Sequence, residues 1–492
     1  MTDLLSLVRG CTFDDFLFTP QYSVVERRDP ATIDLSSRFS RRLSIKRPIV
    51  SANMDTVTRA AMAIAVAEEG GLGIIDRGFR SGEIEPQVRE VQIVKRKQHG
   101  IINDPYTIAI EDRLAAAAAR MQTTGVGTLV VLDDRRRVQG LLTTRDLRFA
   151  DLSGTVASRM TPLDQLVVHR DKETTGAEHT MRENKVKKLP LLNADGTLRG
   201  LITAKDLIAQ RQLPFATRDS QGRLRVGAAI GAKGDYLERA AELIKAQVDV
   251  LVIDIAHGHS AVMAQAIEAF RKRFGDVELV AGNVATGDGV RFLAERGVDG
   301  IKVGIGPGGG CTTRLNTNFG VPQVQALVEC RAAAGDLPLI ADGGVKRHGA
   351  LAQALAFGGD TVMLGSAFAG TTETPGDVVQ KPVVVPESNK TVRVPFKVFR
   401  GMASLEAIVD RLDVEDLDDA DVEALGAEGM EISVPARGSA RPILRDMLKH
   451  LCSAISYGGA RSLSEMQEMF RKNPERYVIR LTESSRRESF DR

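Results

Sequence analysis

Short apolar runs alternate with helical patterns along much of this chain. Residues 48–50 and 71–75 form two such runs on either side of an alanine-rich helical stretch at 59–69. After a gap six more follow, at 224–230, 248–255, 277–284, 300–305, 338–341 and 361–364. Uninterrupted apolar runs of this length are the pattern of parallel strands covered by helices on their outer face. Two runs and then six make eight, and eight parallel strands alternating with helices predict an α/β fold, the (β/α)8 or TIM barrel. Polar residues and glycines gather where the runs end, at Asp254-Ile-Ala-His-Gly258, Gly282-Asn283, Gly306 to Cys311, Asp342-Gly-Gly344 and Gly365-Ser366. Barrels place their chemistry at that end of the strands. The segments after strands seven and eight are where they often hold phosphate. Glycines there also simply make tight turns, so the pattern alone leaves both readings open.

The gap between the second and third runs holds an internal repeat. Met121-Gln-Thr-Thr-Gly-Val-Gly-Thr-Leu matches Met181-Arg-Glu-Asn-Lys-Val-Lys-Lys-Leu, and Gly140-Leu-Leu-Thr-Thr-Arg-Asp-Leu147 matches Gly200-Leu-Ile-Thr-Ala-Lys-Asp-Leu207 at the same offset. The chain therefore divides into a first part of a barrel at 1–96, an inserted pair of small α/β units at 97–213, and the remainder of the barrel at 214–492. Within the last part, residues 378–399 alternate valine with polar residues around Glu387 to Lys390, the pattern of a β-hairpin. The acidic stretch 410–428 comes next. Together, about 377–440 reads as a finger and a mobile flap. The charged tail 484–492 reads as disordered.

Composition narrows the function classes. The 66 lysines and arginines nearly balance 64 acidic residues, for a net charge of +2, so no electrostatic argument favours nucleic acid as a partner. Four scattered cysteines fit a reducing compartment better than a disulfide framework. No apolar run approaches membrane-spanning length and the first residues lack a signal-peptide pattern, so the expected location is cytoplasmic. His257 and His259, one glycine apart at a strand end, read as loop residues and not as a zinc site.

The most concentrated chemistry lies in Lys302-Val-Gly-Ile-Gly-Pro-Gly-Gly-Gly-Cys-Thr-Thr-Arg314. Five glycines let the backbone turn its own polar groups toward a ligand or ion and present Cys311. Gly304 to Gly309 formally matches the dinucleotide fingerprint G-x-G-x-x-G. A helix should then open at the third glycine, yet 311–320 reads as irregular polar chain, and Glu329 falls inside a helical run at 321–334. The loop is not a Rossmann turn.

With these motifs in hand, the chain resembles the family of IMP dehydrogenase and GMP reductase over essentially its full length. The cysteine loop, Asp342-Gly-Gly344, Met363-Leu-Gly-Ser366 and Arg400-Gly-Met-Ala-Ser404 carry the likeness. Each inserted unit resembles a CBS motif, and a tandem CBS (Bateman) insertion is usual in that family. The resemblance implies a purine 5′-monophosphate over the barrel mouth, with Cys311 attacking C2 of the base. Asn53, Met54, Asp342, Gly343, Gly344, Gly365, Ser366, Met402, Ser404 and Gly429 would line its site. A nicotinamide cofactor would lie beside it against Asp254, Ala256, Asn283 and Gly304. A potassium-type cation would sit on the backbone carbonyls of Gly306, Gly308 and Cys311. Thr143, Asp146, Thr203 and Asp206 would contact ATP or GTP, although Thr-x-x-Asp at a strand-to-helix junction is also an ordinary capping arrangement. The resemblance also implies a homotetramer built through the barrels, pairing into octamers through the inserts.

Both family activities pass through a purine joined at C2 to the cysteine. A dehydrogenase hydrolyses that adduct and in this family uses an Arg-Tyr pair on the flap, whereas a reductase expels ammonia from GMP and needs an acid. Here no tyrosine lies between Gly376 and Lys449, and Asp410-Arg-Leu412 stands where Asp-Arg-Tyr is expected. Thr313 and Glu428 match the acid pair attributed to GMP reductases, and Asn53 before a methionine is typical of them. The expected activity is therefore an NADPH-dependent GMP reductase, with IMP dehydrogenase as one alternative and a nucleotide-sensing CBS protein with a weak barrel as another. Three departures stand out: Gly309 replaces a common serine, Phe399 a common tyrosine, and Asp76-Arg77 a common His-Lys.

Overall fold

A computed structural model describes residues 4–97, 101–102, 104–170, 176–385, 390–411 and 426–490. The eight apolar runs form eight strands: β1 (Ile49–Ser51), β2 (Leu72–Ile75), β3 (Val226–Ile230), β4 (Val250–Asp254), β5 (Leu279–Val284), β6 (Gly300–Val303), β7 (Leu339–Asp342) and β8 (Thr361–Leu364). Each pairs in parallel with the next and β8 pairs with β1, closing a barrel. Five strands, β2 to β6, are shorter than their apolar runs because those runs include residues of the adjoining turns.

Alternate residues of the strands point inward and fill the barrel. Val50, Leu72, Ile74, Ala229, Val250, Val252, Val280, Ile340 and Met363 pack in one buried cluster, and Phe39, Leu43 and Ile45 join it. Those three come from the segment around the small antiparallel pair Ser37–Arg38 with Ser44–Ile45. It lies against the start of β6, where Arg41 N–H donates to the carbonyl of Asp299. The amino-terminal end of the barrel is thereby plugged with apolar side chains, which leaves the carboxyl end as the open one.

Beyond the barrel, β9 (Val379–Val385) and β10 (Lys390–Arg400) pair as the expected hairpin, and β11 (Glu431–Pro435) adds to β10. The hairpin tip at 387–389 and most of the acidic flap, 412–425, lie outside the described residues. The charged tail differs from the expectation of disorder. Residues Glu483–Phe490 form a helix, and the Phe490 ring lies 3.8 Å under the Arg347 guanidinium, a cation–π contact that ties it down. Among the described residues no helix is long and apolar enough to cross a membrane.

Residues 97–214, with 219–223, form a second compact unit. Its repeat is visible in strand register. Thr128–Leu132 pairs with Val138–Thr143 so that Leu129 faces Leu142, and Lys188–Leu192 pairs with Leu198–Thr203 so that Leu189 faces Ile202. Leu132 and Leu141 of the first copy pack against Leu192 and Leu201 of the second. Thr143 ends its strand with its N–H and hydroxyl both donating to Asp146 Oδ2, at 2.7 and 2.8 Å, which is the capping arrangement. Thr203 ends the equivalent strand and Asp206 lies in the following helix, its side chain outside the described atoms. A shallow cavity of this unit is lined by Gly125, Gly127, Thr144 and Arg148, and neither Thr143 nor Asp146 lines it.

Candidate active site

The floor of the open end is a polar network built on Lys302. This lysine interrupts the apolar β6 and points into the barrel, where it is 2% exposed. Its ammonium lies 2.5 Å from Asp254 Oδ2 and 3.1 Å from both Asp342 Oδ2 and Asn53 Oδ1. Asn53 also donates to Asp254 at 2.6 Å, while Asn283 donates to Asp342 at 2.9 Å and to the Gly304 carbonyl at 2.7 Å. Burial alone would push the lysine down and the aspartate up. The opposite charges outweigh it, so Lys302 is held above its ordinary range and Asp254 below its own, with Arg77 adding to the effect on Asp254. Asp254 therefore stays an acceptor at the cavity wall. Lys302 was absent from the sequence-derived site; its one signal was a lone lysine within an apolar strand run.

Above this floor the cysteine loop needs glycine for specific reasons. At Gly304, φ is +148° and a Cβ would sit 2.1 Å from the Asp342 carbonyl oxygen. Gly306 at φ +86° leaves room for the Arg314 side chain. The loop then closes as Cys311 N–H donates to the Gly308 carbonyl at 3.1 Å. The polar stretch after Cys311 is not irregular, because Thr313–Thr317 forms a short helix, α1. Its polar residues satisfy its own ends, with Asn316 donating to Thr312 Oγ1, Thr317 donating to the Thr313 carbonyl, and Asn318 in the left-handed conformation at φ +60°. The helix opens at Thr313 and not at Gly309, the third glycine of the formal fingerprint.

α1 turns Thr313 back toward Cys311. The Cys311 thiol donates to Thr313 Oγ1 at 3.2 Å, and that hydroxyl donates to Glu428 Oε2 at 2.6 Å. Glu428 is positioned by backbone. Its carbonyl accepts from Thr312 N–H at 2.8 Å, its own N–H donates to Ala403 at 2.9 Å, and Met430 N–H donates to Gly310 at 3.0 Å. Three glycines allow this close layer. A Cβ on Gly401 would lie 2.3 Å from the Gly310 oxygen, one on Gly310 2.9 Å from Gly401 N, and one on Gly429 2.6 Å from Ser404 N. Beside the layer, Arg400 is fastened to Asp55 at 2.7 Å and Asp410 at 2.6 Å, and Met402 Sδ accepts from Asp55 N–H.

These parts enclose a cavity of about 320 Å³. Asn53, Met54, Asp254, Ala256, Asn283, Gly304, Gly306, Gly308, Cys311, Thr313, Asp342 to Gly344, Gly365, Ser366, Met402 and Glu428 all line it. Two sequence-derived substrate residues do not. Ser404 is fully buried, its hydroxyl accepting from Ala407 N–H as a helix cap, and Gly429 lies behind Glu428. In the loop after β7, Gly343 and Gly344 both have positive φ, +87° and +82°. A Cβ on Gly309 would meet only Ser366, at 3.5 Å. Arg77 and Arg411 also line the cavity. Burial and the Arg77 charge push Arg411 down to about 10, and its Nη1 has no partner among the described residues.

The site thus sets a cysteine on a glycine loop over the barrel and links it through a threonine to a glutamate. The family model described as IMP dehydrogenase / GMP reductase domain matches residues 10–491. The chain belongs to this family. It is 41% identical to GMP reductase of Leishmania major, covering 99% of this chain and 97% of that protein. It is 40% identical to inosine-5′-monophosphate dehydrogenase of Aquifex aeolicus, covering 98% and 94%. A solved cysteine-to-alanine variant of Trypanosoma brucei GMP reductase, in complex with guanosine 5′-monophosphate, superposes with a TM-score of 0.85 at 37% identity, covering 99% of each chain. Members of the IMP dehydrogenase / GMP reductase family are oxidoreductases that act on purine mononucleotides with a nicotinamide cofactor. Relatives of both kinds stand at nearly equal identity, so the choice between the two reactions rests on the site.

Proposed function

We propose that this chain is a GMP reductase, converting GMP to IMP and ammonia with NADPH. One observation carries the reading: the hydrogen-bonded line Cys311–Thr313–Glu428, in a chain whose flap has no tyrosine to pair with Arg411. The thiol proton passes through the Thr313 hydroxyl to Glu428 as sulfur bonds to C2 of GMP. Glu428, now an acid, returns that proton to the 2-amino group, and the C–N bond breaks with ammonia as the leaving group. NADPH, when bound, supplies a hydride to C2, so that with one proton the products are IMP, ammonia and NADP⁺. The thiolate leaves as Cys311 is regenerated.

The donor sets fit these ligands. Asn283 Oδ1 is buried at the cavity wall without a partner among the described residues, an acceptor suited to a carboxamide N–H. The phosphate would rest on backbone N–H groups around Gly309, Gly343, Gly344, Gly365 and Ser366. For a potassium ion, the Gly306 and Cys311 carbonyls accept no hydrogen bond among the described residues, and Gly308 accepts one and keeps a second lone pair. In the inserted unit we assign ATP or GTP binding to the pair of repeats, in an assembly of four or eight copies.

A second reading, IMP dehydrogenase, is favoured by one observation. A guanidinium pushed down to about 10 is neutral in about one molecule in a thousand at pH 7, far more often than an ordinary arginine, and could take a proton from water. The test is absorbance at the reduced nicotinamide band, with GMP plus NADPH in one cuvette and IMP plus NAD⁺ with potassium in the other. Decay in the first alone is the expected result. A steady rise in the second assigns the dehydrogenase and makes Arg411 the first residue to test as the group that activates water.

A further inference from the structure

Away from the cavity, three ligand-bearing side chains meet across two packed helices. Helix α2 (His348–Ala356) begins at His348, and helix α3 (Ala440–Tyr457) carries Asp446 and His450 one turn apart on one face. The imidazoles of His348 and His450 stack with centroids 4.6 Å apart and planes 8° from parallel. One donor atom from each of the three residues lies within 4.8 Å of those from the other two. None of the three lines the Cys311 cavity.

His348 and Asp446 stand farther apart than a hydrogen bond, and because stacked rings direct their in-plane lone pairs along parallel planes, one imidazole must turn about its side-chain bonds for both to reach one ion. His348 Nε2 is 3.4 Å from Asp446 Oδ2, long for an N–H···O bond. Two ligands held at about 2.0–2.1 Å by one tetrahedral ion stand about 3.4 Å apart. His450 Nδ1 lies 2.9 Å from the Asp446 carbonyl oxygen, which can only accept, and 3.8 Å from Asp446 Oδ2, so Nδ1 carries the proton and Nε2 is the nitrogen that must swing to the ion. A backbone carbonyl on the other ring nitrogen is how metal-bound histidines are commonly oriented. The three side chains are 42%, 53% and 54% exposed, so an ion reaches them without any opening of the fold.

We infer that His348, Asp446 and His450 form a site for a borderline divalent transition ion of the zinc class, with a water completing the fourth position. Two imidazoles with one carboxylate select such ions over magnesium or calcium, which take all-oxygen sets. The ion would join α2, which follows the loop of Asp342 to Gly344, to α3, which follows β11 and the glutamate segment. It would act as a clamp on the frame that holds both.

The test uses the chelator-stripped full chain carrying Cys311→Ala, so that the half-buried cavity thiol cannot compete. Isothermal titration with zinc chloride is expected to show one saturable site per chain, undiminished by excess magnesium and weakened at least tenfold by His450→Ala or His348→Ala. Cobalt(II) is expected to give visible absorption bands that Asp446→Asn, which keeps the side-chain shape, reduces or removes. Absence of saturable zinc binding overturns the inference. So does zinc binding that is equal in the parent protein and in Asp446→Asn and His450→Ala variants shown to be folded by circular dichroism.

Discussion

Thr313 donates its hydroxyl hydrogen to Glu428 at 2.6 Å across 115 residues of chain, and in the same geometry accepts from the Cys311 thiol. A hydroxyl that accepts from one group and donates to the other is a proton path in either direction. Removing either end should slow chemistry more than binding. For Glu428→Gln and for Thr313→Val we expect the kcat for GMP reduction to fall about 10²–10⁴-fold, with KM for GMP changed far less. Cys311→Ala should abolish turnover. Steady-state kinetics at the reduced nicotinamide band reads all three, and wild-type rates in Glu428→Gln would remove the relay from the mechanism.

The glycine layer makes an unequal pair of predictions. Gly401→Ala places a methyl 2.3 Å from the Gly310 oxygen and forces the cysteine loop and the Met402 segment apart. Its kcat is expected to drop at least tenfold while the barrel stays folded by thermal melting. Gly309→Ser makes only ordinary contact with Ser366, at 3.5 Å, and adds a hydroxyl where we propose the phosphate rests. That variant should keep its kcat and bind GMP as well as or better than the parent.

Lys302→Met tests the polar floor. The variant leaves Asp254 and Asp342 without their shared buried cation, a loss of about 3–5 kcal/mol of stability. Asp254 is held below its ordinary 3.8, so its share is present above that pH and is lost as pH falls through the lower folded value. Lys302 is held above its ordinary 10.5, so its share is present below that pH and is lost only as pH rises past the higher folded value. In the parent this pair should therefore add no slope to stability, measured by urea unfolding, from about pH 4 to about pH 10, whereas in the variant burial raises the unpaired Asp254 and stability should fall as pH rises through its raised value.

Asp76 has the opposite sign. Burial pushes it from 3.8 up to about 6, against the pull of Arg59 at 3.3 Å. Between those values the folded chain holds a proton that the unfolded chain has released, so stability declines as pH rises through the window. The decline amounts to at most about 3 kcal/mol. Asp76→Asn keeps an acceptor for Gly78 N–H and cannot ionise. Urea unfolding at pH 4 and pH 7 should show this part of the slope missing in the variant.

Arg411→Ala separates the two family reactions. If the chain is a reductase, GMP reduction should survive within about tenfold, because no water needs activating. Should IMP oxidation be the true activity, the same variant would lose it by several orders of magnitude, as expected on removal of a catalytic base.

The barrel was legible in the sequence because burial on both faces leaves each strand as a continuous apolar run, a local property that no neighbour can hide. The same holds for the hairpin of Val379–Val385 with Lys390–Arg400 and for the glycine loop before Cys311. Two helices were not legible. α1 was hidden because Thr313, Asn316 and Thr317 are poor helix formers, and the bonds from Asn316 to Thr312 Oγ1 and from Thr317 to the Thr313 carbonyl hold the turn only once it is in place. The tail helix was hidden because its anchor, Phe490 beneath Arg347, lies far away in the chain.

Local pattern thus determined which segments are strands, where the barrel is interrupted, and which loops end at the open face. The family resemblance then named Cys311, Thr313 and Glu428 as partners. Barrel closure alone decided that Lys302 stands between Asp254 and Asp342, because parallel neighbours are set by strand order and not by distance in sequence. Closure also brought Arg77 and Arg411 to one cavity and left Ser404 as a buried cap. A side chain's own run of sequence reports whether it is buried; what it is buried against is a property of the assembled fold.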